Sequence, residues 1–354
     1  MVPQRSNEKQ ARNHVLVSVV ILTYNGLDHV KTCLESVLQT SYSPIEAIVV
    51  DNGSTDGTVQ YLRQRFPSVN VVELNTNTGP ATGFMAGVRH SKGDYVVLLS
   101  NDMEVESSWL GYLVDALQED PSVAAAEPKY KDFYDRRRFD VTAAAGRWID
   151  RFGNNFTRGV GEIDVGQYDE KADVIGVATM FRRREMLRVG GYDASYFFGY
   201  EDMDVGWRFY LAGDKVVYVP ESVIYHKSGA SSRSSKGGLL RPALYYLNKR
   251  NRLISIMKNY SVKNMLTALG ITELEFLGTS LYQGYSGNKE HMIALQKAMR
   301  FPITGCRQIM MSRSRVQRMR RRSDKAIMAF MVGYNGDILK ILRGMSQKET
   351  GNTD

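Results

Sequence analysis

The sequence predicts an α/β fold, a mainly parallel sheet sandwiched between helices, followed by a mostly helical C-terminal region. Three observations lead there. Over the first hundred residues, short apolar runs rich in Val and Ile alternate with segments whose apolar residues recur at helical spacing, the pattern of βαβ units. Several of these runs end in a polar tip. Beyond residue 235 the strand-like runs give way to helical patterns. A chain of 354 residues, 43% hydrophobic and 24% charged, can bury a large core, and its composition excludes a disordered protein. Cys33 and Cys306 are too few and too far apart for a disulfide framework, which fits a reducing compartment.

Residues 1–14 are polar and lack the apolar core of a signal peptide, so they read as a flexible tail. Residues 15–22 (VLVSVVIL) form a nearly continuous β-branched run, expected of a central strand covered on both faces. Leu27, Val30, Leu34, Val37 and Leu38 then recur at helical spacing, and residues 45–50 (IEAIVV) give a second buried strand. A helix with Val59, Leu62 and Phe66 inward, a strand near 69–74, a Gly-punctuated helix over 80–90 and a strand over 95–99 continue the alternation. The longest apolar runs, such as 326–332, fall far short of the roughly 20 residues a spanning helix needs.

In parallel sheets of this kind ligands bind outside the carboxyl ends of the strands, so the residues after each strand carry the functional signal. Thr23-Tyr24-Asn25-Gly26 follow the first strand, Asp51 to Gly57 (DNGSTDG) the second, and Ser100-Asn101-Asp102 the fourth. Turns and helix caps account for residues 54–57, and less well for an acid after an apolar strand at both Asp51 and Asp102. Further on, Glu201, Asp202 and Asp204 crowd three carboxylates into four residues, entered through Tyr196, Phe197, Phe198, Gly199 and Tyr200. Like charges so close raise at least one pKa when partly buried, which suits a general base. A helix start, with Asp204 and Arg208 as an ordinary i,i+4 pair, explains the same residues.

The segments ILTYNG (21–26), VVDNGSTDGT (49–58), VVLLSNDMEV (96–105), GGYD (190–193) and FGYEDMDVGWR (198–208) together resemble the family 2 inverting glycosyltransferases, most closely the rhamnosyltransferase-like branch. The resemblance implies a GT-A fold, a nucleotide-sugar donor with dTDP-rhamnose or a UDP-sugar favoured, and a glycan or lipid-linked glycan acceptor. It implies that Thr23, Tyr24 and Asn25 line the nucleoside pocket, that Asp51 hydrogen-bonds the base, and that Asn101 and Asp102 meet the donor diphosphate. Asp102 matches the last residue of the family's Asp-any-Asp motif, which binds a divalent cation. Ser100 stands where the first Asp is usual, and His226, just past a later strand, matches a ligating histidine. One carboxylate with one imidazole favours Mn2+ over Mg2+. Asp202 matches the catalytic base, with Glu201 and Asp204 orienting it or holding acceptor hydroxyls, and Tyr200 and Trp207 are expected to face the acceptor. Phe84 and Met85 depart from the family, which carries Asn there.

The resemblance divides the chain into a tail (1–14), a GT-A catalytic body (15–235) and a helical, basic region (236–354). Residues 228–238 (SGASSRSSKGG) are flexible in composition and read as a linker or as a loop that orders over substrate. Between Arg300 and Lys325 nine basic residues face a single acid, Asp324, which accounts for the entire net charge of +8. Interleaved with Ile309, Met310, Met311, Val316 and Met319, they read as an interfacial helix on an anionic membrane surface. A peripheral enzyme at the cytoplasmic face of the cell membrane is the expectation. A sugar nucleotidyltransferase requires a Gly- and Arg-containing phosphate loop where TYNG stands, and a nucleic-acid-binding protein leaves the carboxylate tips unexplained.

Overall fold

A computed structural model of the chain describes residues 15–228, 240–334 and 336. The expected tail 1–14, the 228–238 segment apart from Ser228, and the end of the basic region lie outside the described residues. The elements run β1 (Val17–Thr23), α1 (Leu27–Leu38), β2 (Ile45–Asp51), α2 (Thr58–Arg65), β3 (Asn70–Glu73), α3 (Gly79–His90), β4 (Tyr95–Ser100), β5 (Met103–Val105), α4 (Trp109–Glu119) and β6 (Val123–Asp132). There follow β7 (Arg147–Ile149), β8 (Asn155–Thr157), β9 (Ala172–Asp173), β10 (Met180–Arg182), α5 (Arg183–Arg188), α6 (Glu201–Ala212) and β11 (Lys215–His226). The C-terminal helices are α7 (Pro242–Asn259), α8 (Val262–Tyr285), α9 (Lys289–Thr304), α10 (Cys306–Met319) and α11 (Asp324–Met328).

The main sheet has the order β3-β2-β1-β4-β10-β6-β11-β5, with β9 paired to β11. Strands β1 to β4 are mutually parallel, β10 runs against β4 and β6, and β11 is parallel to β6. Alternate residues of β1 explain its continuous apolar run. Val17, Val19 and Ile21 pack with α1 and α4 on one face, and Val20 packs with α3 on the other. Gly87 of α3 lies where a Cβ would strike Val20 at 2.2 Å, so this helix packs close enough to the sheet to require glycine there.

Phe84 and Met85, the family departure, are buried in that same layer. Phe84 meets Tyr192 edge to face, with ring centroids 6.2 Å apart, so these two side chains serve packing rather than donor contacts.

The C-terminal helices are not a separate appendage. Ile254, Ile256 and Met257 of α7, Ile309 and Val316 of α10, and Ile327 of α11 belong to the apolar cluster that holds Trp207 and Tyr210 of α6. The expected interfacial helix is corrected accordingly. Ile309 and Val316 point inward, and three arginines of the basic run are internal caps. Arg313 donates to the carbonyls of Met257 and Tyr260 at 2.5 and 2.6 Å, Arg320 donates to Asn259, and Arg322 donates to Gly213 at 2.7 Å. Helix C-termini leave carbonyls without partners and carry partial negative charge, and these guanidiniums satisfy the ends of α7 and α6.

Candidate active site

The carboxyl ends of β1, β2 and β4 lie side by side, with Thr23 in register with Asp51 and Leu22 with Ser100. Three side chains tie the tips together. Asn25 accepts from Thr55 N–H at 2.8 Å, Asn101 donates to Thr23 Oγ1 at 2.9 Å, and Asn52 accepts from Thr78 N–H at 2.9 Å. Asn25 itself takes a positive φ of 46°, which asparagine tolerates better than most residues. Tyr24 stands 48% exposed beside them. Asp51 is buried, with one oxygen accepting from Gly53 and Ser54 N–H at 3.2 and 2.9 Å and Oδ1 without a donor. An open groove of about 540 Å3 runs against Asp51, Ser54, Leu74 and Asn75.

Strand β5 pairs His226 with Met103, which brings the imidazole to Asp102. Nε2 lies 3.4 Å from Asp102 Oδ2, while Nδ1 faces Ser228 Oγ at 2.7 Å and Asp140 Oδ1 at 3.4 Å. Burial disfavours the charged ring, but hydrogen bonds and charge from Asp102 and Asp140 outweigh it and raise His226 to about 10. Burial likewise opposes ionisation of Asp102, and the hydrogen bond and charge of His226 hold its carboxyl below the ordinary range.

This pair fits a shared cation. Two ligands about 2.1 Å from one ion, at angles between square and tetrahedral, lie roughly 3.0–3.4 Å apart. Asp102 Oδ1 is buried without a donor, and Asp140 orients the imidazole from behind. Among the described residues no group of three His, Cys, Asp or Glu side chains forms a full ligand set, so diphosphate oxygens and water would complete the coordination, as is usual at phosphate-bound Mg2+ sites.

The acid segment reaches the same edge by way of β10. Antiparallel pairing sets Thr179 O 2.8 Å from Leu98 N, and Val177 N–H donates to Asp202 O at 3.4 Å. Arg147 of β7 is ion-paired with Asp202 and, at 2.6 Å, with the fully buried Glu127. Glu201 Oε2 is buried without a donor, and burial followed by the Asp202 charge raises its carboxyl to about 8.

The roles expected of Asp204, beside the base or at acceptor hydroxyls, and of Tyr200 and Trp207, facing the acceptor, are corrected by packing. Asp204 is completely buried and bonded to Arg208, Lys258 and Asn259 at 2.9, 2.9 and 3.0 Å, a strut rather than a reactive group. Trp207 is 1% exposed and meets Tyr260 edge to face at 4.7 Å. Tyr200 is buried and donates to Gly153 O at 3.0 Å. Of that aromatic run only Phe197 and Phe198 are exposed, and Phe197 lies over Gly79 at the start of α3. Sequence reasoning missed Glu127, Asp140 and Arg147. Their partners are 55 to 86 positions away or in another strand, and no local spacing signals them.

The comparisons agree with this geometry. Residues 18–187 match the model of Glycosyl transferase family 2. The N-acetylglucosaminyl-diphospho-decaprenol L-rhamnosyltransferase of Mycobacterium tuberculosis H37Rv is 28% identical over 240 residues, 62% of this chain and 78% of that protein. The poly-beta-1,6-N-acetyl-D-glucosamine synthase of Staphylococcus aureus N315 is 24% identical over 208 residues, 58% of this chain and 48% of that one. In fold, the crystal structure of GalNAc-T7 with UDP, GalNAc and Mn2+ superposes with a TM-score of 0.54 at 17% identity, over 70% of this chain and 49% of that chain. S. aureus TarS 1-349 in complex with UDP gives 0.50 at 13% identity, over 82% and 91%. With the strand order, the polar carboxyl edge and the acid segment already in place, residues 18–187 form a glycosyltransferase family 2 domain with a GT-A fold, similar to that of the rhamnosyltransferase.

Proposed function

We propose that the protein transfers a sugar with inversion from a nucleotide-sugar donor, dTDP-rhamnose or a UDP-sugar, to a lipid-linked or glycan acceptor. One observation carries the reading. Buried carboxylate oxygens without a donor, among the described residues, occur only on Asp51, Asp102, Asp140 and Glu201, and an unsatisfied buried acceptor is costly unless a ligand uses it. Asp51 Oδ1 suits the imide N–H of a uracil or thymine ring. Asp102 and His226 would hold a divalent cation, Mn2+ by preference for the imidazole nitrogen, and when bound it supplies charge neutralisation for the departing diphosphate.

Asp202 takes the proton of the acceptor hydroxyl. The new bond forms between that oxygen and the anomeric carbon as the bond from this carbon to the diphosphate oxygen breaks on the opposite face. Arg147 keeps the Asp202 carboxylate in place, and Glu201, protonated below about pH 8, leaves the pair with one charge instead of two. The rhamnosyltransferase relative, which by its name acts on a diphospho-decaprenol-linked sugar, favours a lipid-linked acceptor. The exposed Arg307, Arg315 and Arg318 would then draw the enzyme to an anionic membrane surface on the cytoplasmic side.

The test pairs binding with turnover. UDP or dTDP with Mn2+ should raise the melting temperature more than GDP does, since a ligand that prefers the native state stabilises it. Asp202→Asn should cut transfer by roughly 100-fold or more while leaving that shift intact. Near wild-type transfer by the variant would remove Asp202 from the mechanism, and no shift with any nucleotide would remove the donor reading.

A further inference from the structure

Asp140 is a completely buried carboxylate that neither donor binding nor proton transfer engages. It sits in the loop between β6 and β7, which doubles back so that Asp140 N–H donates to Tyr130 O at 3.0 Å and Tyr130 N–H donates to Ala144 O at 2.9 Å. The turn that follows is built on a single oxygen. Oδ1 accepts from Thr142 N–H at 2.8 Å, Ala143 N–H at 2.9 Å and Thr142 Oγ1 at 2.5 Å, while Oδ2 is buried with no donor. An asparagine oxygen would close this turn as well, without the cost of burying a charge.

The charge faces the candidate cation site. Strand β11 ends in register with β6, His226 beside Asp132, so the imidazole reaches the same loop. Its Nδ1 lies 2.7 Å from Ser228 Oγ, Ser228 Oγ lies 3.1 Å from Thr142 Oγ1, and Thr142 Oγ1 donates to Asp140 Oδ1, which is itself 3.4 Å from Nδ1. An ionised carboxylate accepts and never donates, and each hydroxyl has one proton to give. Thr142 therefore gives its proton to Asp140 and accepts from Ser228, and Ser228 in turn accepts from Nδ1–H. The direction of the whole chain is fixed at its carboxylate end. Nδ1 keeps its proton, and Nε2, 3.4 Å from Asp102 Oδ2, is the nitrogen left for a cation.

We propose, on the reading that Asp102 and His226 hold the cation, that Asp140 is a positioning residue that sets which cation the enzyme takes. Through Thr142 and Ser228 it fixes His226 as a nitrogen ligand, and so favours transition ions over Mg2+. A carboxylate behind a ligating imidazole holds the ring in place and makes its other nitrogen a stronger donor. That gain grows with an ion's affinity for nitrogen, from Mn2+ to Co2+. It counts for little with Mg2+, which is held by carboxylate, phosphate and water oxygens.

Calorimetric titration of the full chain with MgCl2, MnCl2 and CoCl2 in the presence of UDP reads the selectivity. Asp140→Asn keeps an oxygen for the Thr142 and Ala143 amides and removes the charge. It should weaken Mn2+ binding by roughly 10- to 100-fold, Co2+ binding by at least as much and Mg2+ binding by no more than about threefold, with the melting temperature in EDTA retained. Thr142→Val, which interrupts the chain of hydroxyls without touching the buried carboxylate, should affect the ions in the same order. In a His226→Ala background Asp140→Asn should change none of them further, because its effect passes through the imidazole. Equal weakening of all the ions, wild-type affinities in Asp140→Asn, or a further loss in the His226→Ala background would overturn the proposal. Absence of saturable Mn2+ binding by the wild-type chain would remove the cation site itself, and the role of Asp140 with it.

Discussion

Glu201 holds a proton that the unfolded chain releases. Its carboxyl moves from 4.5 to about 8 in the folded protein. Between those values the native state binds more protons than the unfolded state, so stability falls as pH rises from about 5 to 8 and levels off above. Glu201→Gln fixes the uncharged form. The fall of melting temperature with pH over that interval should flatten, with the largest gain near pH 8, and an undiminished slope would assign the proton to another group. Arg147 offers the companion case. Replacing it by Met strands the buried Glu127 and should cost about 3–5 kcal/mol in chemical denaturation, most of it recovered when Glu127→Gln is added. Asp51, Asp102, Glu201 and Asp202 were legible in the sequence because each follows an apolar strand or opens a helix within a few residues. Their partners were not. Arg147, Glu127 and Asp140 look like ordinary strand and loop residues until the sheet order brings them to Asp202 and His226.

At the scale of elements, α7 organises the acid segment. Asn251 Nδ2 contacts the carbonyls of Tyr196, Phe198 and Gly199 at 3.0, 2.9 and 2.7 Å, and Arg250 donates to Ser195 and Tyr196 O at 2.7 and 2.9 Å. Lys258 of the same helix bonds both Asp193 and Asp204 at 2.8 and 2.9 Å. The strained entry to α6, where Phe197 and Tyr200 take positive φ of 59° and 70°, is thus held from behind. Asn251→Ala should therefore lower stability by about 2 kcal/mol through unpaired buried carbonyls and reduce turnover more than nucleotide affinity. Equal losses in both would mean that the loop serves the donor. The parallel half of the fold was legible because its strands and helices follow locally, each apolar run closing on the next. The dependence of α6 on α7 was hidden, since it rests on contacts some fifty residues apart and on polar side chains whose periodicity carries no core signal.

For the whole molecule, the concentration of net charge in one run between Arg300 and Lys325 predicts an interfacial basic helix. The structure divides that run in two. Arg313, Arg320 and Arg322 close the ends of α7 and α6, and Ile309 and Val316 fill the core. Arg307, Arg315 and Arg318 are exposed. Removing residues 300–354 therefore mixes two effects, loss of surface charge and loss of core, and should lower the melting temperature sharply whatever the surface does. The separable test is Arg307, Arg315 and Arg318→Gln together. Each cation near an anionic surface contributes about 1 kcal/mol before screening, so three should weaken attachment to phosphatidylglycerol vesicles by roughly 100-fold at low salt and much less at high salt. Folding and nucleotide binding should be unchanged, since the three side chains face solvent. Co-sedimentation across a salt series reads the result. Attachment equal to wild type at low salt would show that these arginines serve something other than a membrane, while a loss of attachment that is largest at low salt would identify them as the contact with the anionic surface.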